Sequence, residues 1–280
     1  MRHPAASLLG TLCLFAPAVL AAPPQAVTVP LRLDHGVIFF DATLDGRGPF
    51  AFILDPGAKG AVSGDTLKRL GLKAGESAEL DVAVGPVHLG KQSLLVIDGD
   101  GSDLYPKHDP VGPPIAGALG PEMLKGYALR VDYAHATLTL TTLDGFKYRG
   151  TGKPLAVTFH DVIPLITASA DGVKGLFAYD LRAPGKLMLF HPFLERNGFL
   201  SRYGVAPDVN DPVVPVSLHT LGVAGVVLHE QPARFAGFTT GKFAATDEAG
   251  VLGYGVLSQF ITTVDYRDKL IYFEPATSAP

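Results

Sequence analysis

Short apolar runs separated by turn-forming residues make up most of this chain. Residues 37–44 (VIFFDATL) and 50–54 (FAFIL) are two such runs, with Asp45-Gly46 between them. The Asp-Gly pair is typical of the tight turn that joins two antiparallel strands. Helical periodicity is confined to short stretches such as TLKRLGL, which begins at Thr66. The pattern therefore predicts an all-β, mainly antiparallel protein with a few short helices.

The order of these elements occurs twice along the chain. A second Asp-Gly turn, Asp171-Gly172, precedes an apolar run that ends at Asp180, just as residues 50–54 end at Asp55. The helical pattern also returns, with FLERNGF in the place of TLKRLGL. An order repeated over this length predicts an internal duplication.

The closing segment of each copy gives the strongest alignment. Residues 250–273 (GVLGYGVLSQFITTVDYRDKLIYF) match residues 117–140 (GALGPEMLKGYALRVDYAHATLTL) almost position for position. We therefore expect two mainly β lobes, spanning residues 23–148 and 155–275, joined by a linker near residues 146–154. The alternative is two unrelated β-rich domains that share the same turn chemistry.

Composition supports two substantial cores and an exported protein. The chain has 280 residues, of which 47% are hydrophobic and 18% charged, and its 32 glycines and 23 prolines suit many short strands. Residues 1–22 have the polar start, apolar stretch and small-residue end of a secretory signal peptide. We therefore expect a periplasmic or secreted protein with no membrane association after signal removal, the alternative being a retained membrane anchor.

Charge and cysteine content limit the partners and the chemistry. Cys13, the only cysteine, lies within the signal segment, so we expect no disulfide, thiol nucleophile or thiolate metal site in the mature chain. The formal net charge is −4 and no basic run is present, which argues against nucleic acid as a partner. The histidines are scattered and form no helical metal-binding pair. We expect a monomer without a metal or cofactor.

Two acidic residues at strand ends are the candidates for chemistry. Residues 50–58 (FAFILDPGA) carry Asp55 into a turn, and residues 175–183 (GLFAYDLRA) carry Asp180 to the corresponding place. An acid at the end of a buried strand is well placed to face a cleft. A duplicated fold would bring one such carboxylate from each lobe to a shared interface.

This arrangement resembles the aspartic protease family, specifically the exported bacterial retropepsin-like proteins in which two lobes are fused in one chain. The resemblance covers nearly the whole mature chain, and it includes the apolar-apolar-Gly elements that end at Gly120 and Gly253. It implies a two-lobed aspartic-protease-like β-barrel fold. It also implies that Asp55 and Asp180 form a catalytic pair that shares one proton and activates a water molecule. The implied substrate is a peptide or protein.

The segments depart from the Asp-Thr-Gly or Asp-Ser-Gly motif of that family. Pro56 and Leu181 stand where the family has a hydroxyl that ties the two active loops together. Gly57 keeps the glycine of the first lobe, but Arg182 replaces it in the second. An arginine turned toward the pair would lower the pKa of both carboxyl groups and leave no proton to donate. An arginine turned to solvent would leave the pair in place in a looser form.

These departures predict reduced or absent activity and leave two further interpretations open. The first is a catalytically inactive protein that binds peptide or another ligand in the inter-lobe cleft, and the second is a structural role without a ligand. In the peptide-binding interpretation, the strands near residues 85–90 correspond to the flap hairpin that the resemblance implies, and they would add backbone hydrogen bonds to an extended peptide. The predicted substrate-binding residues are Gly57, Arg182 and Gly85.

Overall fold

The computed structural model describes residues 26–34, 36–55, 59–101, 104, 114–161, 163–181, 183, 185, 187–207 and 212–276. Strands account for 56% of the structure and helices for 12%. The predicted mainly β fold with two barrels and a few short helices is confirmed. The predicted signal segment, residues 1–22, lies outside the described residues. No helix in the described part of the chain is long and apolar enough to cross a membrane.

The elements of the first half are, in chain order, β1 (Ala26–Pro30), β2 (Arg32–Asp34), β3 (Val37–Leu44), β4 (Arg47–Leu54), β5 (Ala61–Ser63), α1 (Gly64–Arg69), β6 (Ser77–Val84), β7 (Val87–Ile97), β8 (Ile115–Leu119), α2 (Pro121–Leu124), β9 (Tyr127–Asp132) and β10 (Thr137–Thr142). Those of the second half are β11 (Lys153–His160), β12 (Ile163–Ala170), β13 (Val173–Tyr179), β14 (Leu187–Leu189), α3 (His191–Arg196), α4 (Phe199–Tyr203), β15 (Val213–Val223), β16 (Val226–Ala236), β17 (Gly250–Leu252), α5 (Tyr254–Leu257), β18 (Phe260–Asp265) and β19 (Leu270–Pro275).

Each half contains a closed barrel of six strands. In the first half the order is β3-β4-β8-β5-β7-β6, and pairing between β6 and β3 closes the barrel. In the second half the order is β12-β13-β17-β14-β16-β15, and pairing between β15 and β12 closes it. The pairs β4–β8 and β5–β7 are parallel, and so are their counterparts β13–β17 and β14–β16. The two barrels therefore match strand for strand.

A central antiparallel sheet joins the barrels in the order β1-β10-β9-β18-β19-β11. Its middle pair, β9 with β18, connects the two halves, with Ile261 opposite Asp132 and Asp265 opposite Ala128. Strand β11 contributes its first residues to this sheet and its last residues to the second barrel. In the first half two separate strands take these roles, with β1 in the central sheet and β2 beside β3 of the barrel. Leu31 interrupts the strand between them, and its N–H donates to Ala136 O (2.7 Å).

The two Asp-Gly hairpin turns have the conformation that their sequence predicts. Asp45 and Gly46 have φ values of 48° and 70°, and Asp171 and Gly172 have φ values of 44° and 80°. A two-residue turn with positive φ at both positions fits the right-handed twist of the flanking strands. Aspartate and glycine tolerate that conformation better than most residues.

The predicted helices also occur, with one difference in the second half. The FLERNGF segment, residues 193–199, was expected to form one helix, but α3 ends at Arg196 and α4 begins at Phe199. Gly198 separates them with a φ of 66°, a left-handed conformation that ends a helix. The hydrophobic core nevertheless continues through both barrels and the central sheet as one cluster of buried residues.

Candidate functional site

Asp55 and Asp180 occupy equivalent positions in the two barrels. Asp55 follows the last residue of β4, and Asp180 follows the last residue of β13. The N–H of Asp55 donates to Leu119 O (3.0 Å), and the N–H of Asp180 donates to Leu252 O (3.2 Å). The two leucines are themselves the last residues of the equivalent strands β8 and β17. Each aspartate therefore lies at the same strand end of its own barrel.

Two tyrosines from the central sheet lie within electrostatic range of these aspartates. Burial, followed by the charges of Tyr179, Tyr254 and Asp180, raises the pKa of Tyr133 well above its ordinary value. Burial, followed by the charges of Tyr179 and Asp55, likewise raises the pKa of Tyr266. Tyr133 is thus within electrostatic range of the aspartate of the second half, and Tyr266 within range of the aspartate of the first half.

Tyr179 connects the two sides of this region. It is fully buried, and its hydroxyl lies 2.8 Å from Thr262 Oγ1 of β18. Tyr179 acts on the pKa of Tyr133 and on that of Tyr266, which follow the two central strands. The Tyr179 hydroxyl therefore connects the strand end before Asp180 to β18, and each aspartate is within electrostatic range of a tyrosine that Tyr179 also influences.

The two aspartates have different surroundings within that region. Asp55 is only 2% exposed, whereas Asp180 is half-buried. One carboxylate oxygen of Asp180, Oδ1, accepts a hydrogen bond from the N–H of Ala183 (3.1 Å). This bond holds the carboxylate over its own turn. Leu181, the residue after Asp180, is buried and apolar, so its side chain contributes no hydrogen bond there.

The predicted substrate-binding residues have not all been placed. Gly57 and Arg182 lie outside the described residues. Gly85 forms the exposed turn between β6 and β7 with a φ of 55°, and a Cβ there would be 3.0 Å from Val29 Cγ1 of β1. The equivalent Gly225 lies against Lys153 of β11. Both turns thus pack beside the first strand of their own half, and the substrate contact of Gly85 stays a prediction.

Sequence reasoning missed the tyrosines. Tyr133 and Tyr266 occupy the same place in the two aligned closing segments, each within the tripeptide Val-Asp-Tyr. That shared tripeptide is the signal that could have found them. Both tyrosines lie far along the chain from the aspartate that they approach, so the sequence alone does not indicate that they are close. Only the pairing of β9 with β18 brings each tyrosine to the opposite half.

The described residues contain no group of three or more histidine, cysteine, aspartate or glutamate side chains that could hold a metal ion. No protein-family model matches this chain, and no curated protein matches it either. The candidate site is therefore defined by its own geometry. It consists of two strand-end carboxylates in equivalent barrel positions, beside a buried group of tyrosines.

Proposed function

We propose that this protein is an aspartic-type endopeptidase in which Asp55 and Asp180 together activate one water molecule. The observation that carries the proposal is the equivalence of the two aspartates. Each follows the last residue of the matching barrel strand, and each donates its N–H to the matching leucine carbonyl. Two barrels joined by a six-stranded sheet also agree with the resemblance to the aspartic protease family.

The proposed chemistry needs only these two side chains and a water molecule. Two carboxyl groups at close range share one proton, because both do not ionise easily together. The ionised member takes a proton from the water, which attacks the peptide carbonyl carbon. The protonated member donates to the carbonyl oxygen as the tetrahedral intermediate forms. Collapse of this intermediate breaks the C–N bond, as the carboxyl group that took the water proton passes it to the leaving amine and the other carboxylate takes back a hydroxyl proton. The pair titrates as a unit, so its pH dependence belongs to both residues.

A second candidate is a non-catalytic protein that binds an extended peptide at the same junction. The buried Leu181 favours it, because an apolar side chain replaces the hydroxyl that would tie the active loops together. In this case the carboxylates would accept hydrogen bonds from the peptide backbone. Affinity would then depend on both aspartates even though no bond is broken.

Cleavage of unfolded casein between acidic and neutral pH tests the proposal. We expect pepstatin-sensitive cleavage by the wild type and a loss of at least about 100-fold in Asp55→Asn and in Asp180→Asn. Asp45→Asn is the matched control, because Asp45 lies in an exposed hairpin turn that asparagine also tolerates. That variant should cleave like the wild type.

Two results would contradict an endopeptidase. Cleavage that persists in both aspartate variants would place the chemistry elsewhere. An absence of cleavage at every pH, together with saturable peptide binding that Asp55→Asn or Asp180→Asn weakens, would instead establish the binding protein. Circular dichroism of each variant separates loss of function from loss of fold.

A further inference from the structure

A cavity of about 430 Å³ lies against one face of the central sheet. Its floor is formed by β9, β10, β18 and β19, and its wall by the linker between the two halves, residues 143–152. Arg130 of β9 lies opposite Thr263 of β18. Its neighbours Leu129 and Val131 are buried in the core. Since successive residues of a strand point to opposite faces, Arg130 faces the cavity from the side away from the core.

The linker is held against this face by its own aromatic residue. Tyr148 stacks on Tyr272 of β19, with ring centroids 3.8 Å apart. The Tyr148 hydroxyl also accepts a hydrogen bond from the N–H of Gly152 (2.8 Å). Burial, the largest cause, and hydrogen bonding to Glu274 raise the pKa of Tyr148 to about 12. Strands from both halves and the linker therefore line one half-open cavity.

Three cationic and two acidic side chains line this cavity, which leaves a formal excess of one positive charge. Arg130, Lys147 and Arg149 line it, against the two acids Asp144 and Glu274. Arg130 Nη1 is fully enclosed and has no hydrogen-bond partner among the residues that the structure describes. Glu274 Oε1 lies 3.5 Å from this nitrogen, but the Glu274 carboxylate also forms a hydrogen bond with Tyr148. The Arg130 side chain as a whole is 38% exposed, so a ligand in the cavity can reach the other N–H donors of its guanidinium.

We propose that this cavity binds a small molecule that carries a phosphate or carboxylate group. The planar guanidinium of Arg130 is suited to hold two oxygens of such a group at once. Lys147 and Arg149 add positive charge from the exposed linker, and Thr141 and Thr263 add hydroxyl donors. A volume of about 430 Å³ exceeds that of a bare anion and suits a small organic ligand. The proposal does not depend on the chemistry at Asp55 and Asp180.

Inorganic phosphate and citrate are the two probes, titrated into the full chain at constant ionic strength set with NaCl. Their comparison distinguishes a phosphate site from a carboxylate site. We expect saturable binding in calorimetry and a Tm that rises with ligand concentration, because a ligand that binds only the folded state stabilises it. Arg130→Gln should weaken binding at least about 10-fold, and Lys147→Gln and Arg149→Gln about 2- to 5-fold each.

Two further variants make the test specific. Glu274→Gln removes a competing carboxylate beside Arg130 and should tighten binding of the probe. Arg234→Gln is the matched control, because Arg234 is exposed on β16 and does not line the cavity. Its affinity should equal that of the wild type.

The proposal is overturned if neither probe binds saturably in the millimolar range. It is also overturned if Arg234→Gln weakens binding as much as Arg130→Gln, or if Glu274→Gln weakens it. Should Arg130→Gln fail to fold, the double variant Lys147→Gln/Arg149→Gln decides the matter. Both residues are exposed on the linker, so unchanged affinity in that variant rejects the site.

Discussion

In the first half of the molecule Leu54 precedes the candidate aspartate, and in the second half Tyr179 does so, with its hydroxyl hydrogen-bonded to Thr262. The backbone at the next residue is nevertheless the same, since Asp55 N and Asp180 N donate to equivalent leucine carbonyls. The halves thus retain the hydrogen bonds and turns that close each barrel, while the side chains around them differ. A site built across two such halves can lose a functional side chain in one half while the backbone hydrogen bonds that position the site stay intact.

The largest expected effect comes from a pair of equivalent phenylalanines, Phe52 in β4 and Phe177 in β13. Both are fully buried. Phe52→Ala and Phe177→Ala should each lower the free energy of unfolding by about 3–5 kcal/mol, because each leaves a cavity in the core. Urea denaturation measures the change, and Phe159→Ala, at a partly exposed position of β11, is the control.

One core cluster extends through both halves, so each variant should still unfold in a single transition. Two separate transitions, with only the mutated half destabilised, would show that the halves fold independently. An effect confined to one of the two phenylalanine variants would break the equivalence of the barrels.

The sequence predicted what local chemistry determines. The Asp-Gly pairs specified the hairpins at Asp45 and Asp171, and the repeated apolar runs specified equivalent strands ending at Asp55 and Asp180. Those signals lie within a few residues of the structure that they predict. The duplicated order then predicted two equivalent lobes, and the family resemblance predicted that each lobe is a barrel.

Long-range pairing could not be predicted in the same way. Closure of the barrels through β3–β6 and β12–β15 and the joining of β9 to β18 depend on strands far apart in the chain. The interruption between β1 and β2 is an example of such a long-range effect. At that point the N–H of Leu31 donates to the carbonyl of Ala136, more than 100 residues later. The cavity that Arg130 and the linker line together has the same origin.

The hairpin aspartates should differ in how much they stabilise their turns. Asp45 Oδ1 accepts one bond, from Asp81 N (2.9 Å). Asp171 accepts one from Thr220 N (2.9 Å) and another from the Tyr203 hydroxyl (2.6 Å). We expect Asp171→Ala to cost about 2–3 kcal/mol and Asp45→Ala about 1–2 kcal/mol, measured by urea denaturation. Equal costs would contradict the asymmetry.

The pH dependence of stability provides a second measure of this difference. Burial acts to raise the pKa of Asp171, but hydrogen bonds from Tyr203 and Thr220 N and the nearby His219 outweigh it and lower that pKa. Its stabilising contribution is therefore present above the unfolded pKa near 4 and is lost as pH falls through the lower folded value. Asp171→Asn should remove this acid-dependent loss of Tm, whereas Asp45→Asn should leave it in place.

A smaller effect on stability is expected at Tyr179, which occupies in the second half the position that Leu54 has in the first. Tyr179→Phe removes the hydrogen bond to Thr262, whose hydroxyl is fully buried, and should cost about 1–2 kcal/mol. Adding Thr262→Val to Tyr179→Phe removes the threonine hydroxyl that has lost its partner. The double variant should therefore recover part of the lost free energy of unfolding. Chemical denaturation of the single and double variants measures the coupling. Additive effects would show that the two hydroxyls stabilise the fold independently.

The smallest expected effect lies at the end of β11, where His160 Nδ1 is 2.7 Å from Glu248 Oε1. The hydrogen bond to Glu248, the largest cause, raises the pKa of His160. Since the folded pKa exceeds the unfolded value near 6.5, this stabilisation is fully present below about pH 6.5 and is lost as pH rises through the folded value. His160→Gln should therefore lower the Tm at about pH 6 more than at about pH 8. His88→Gln, at an exposed position of β7 in the other half, should show no such difference, and an equal pH dependence in both variants would reject the role of the His160–Glu248 pair.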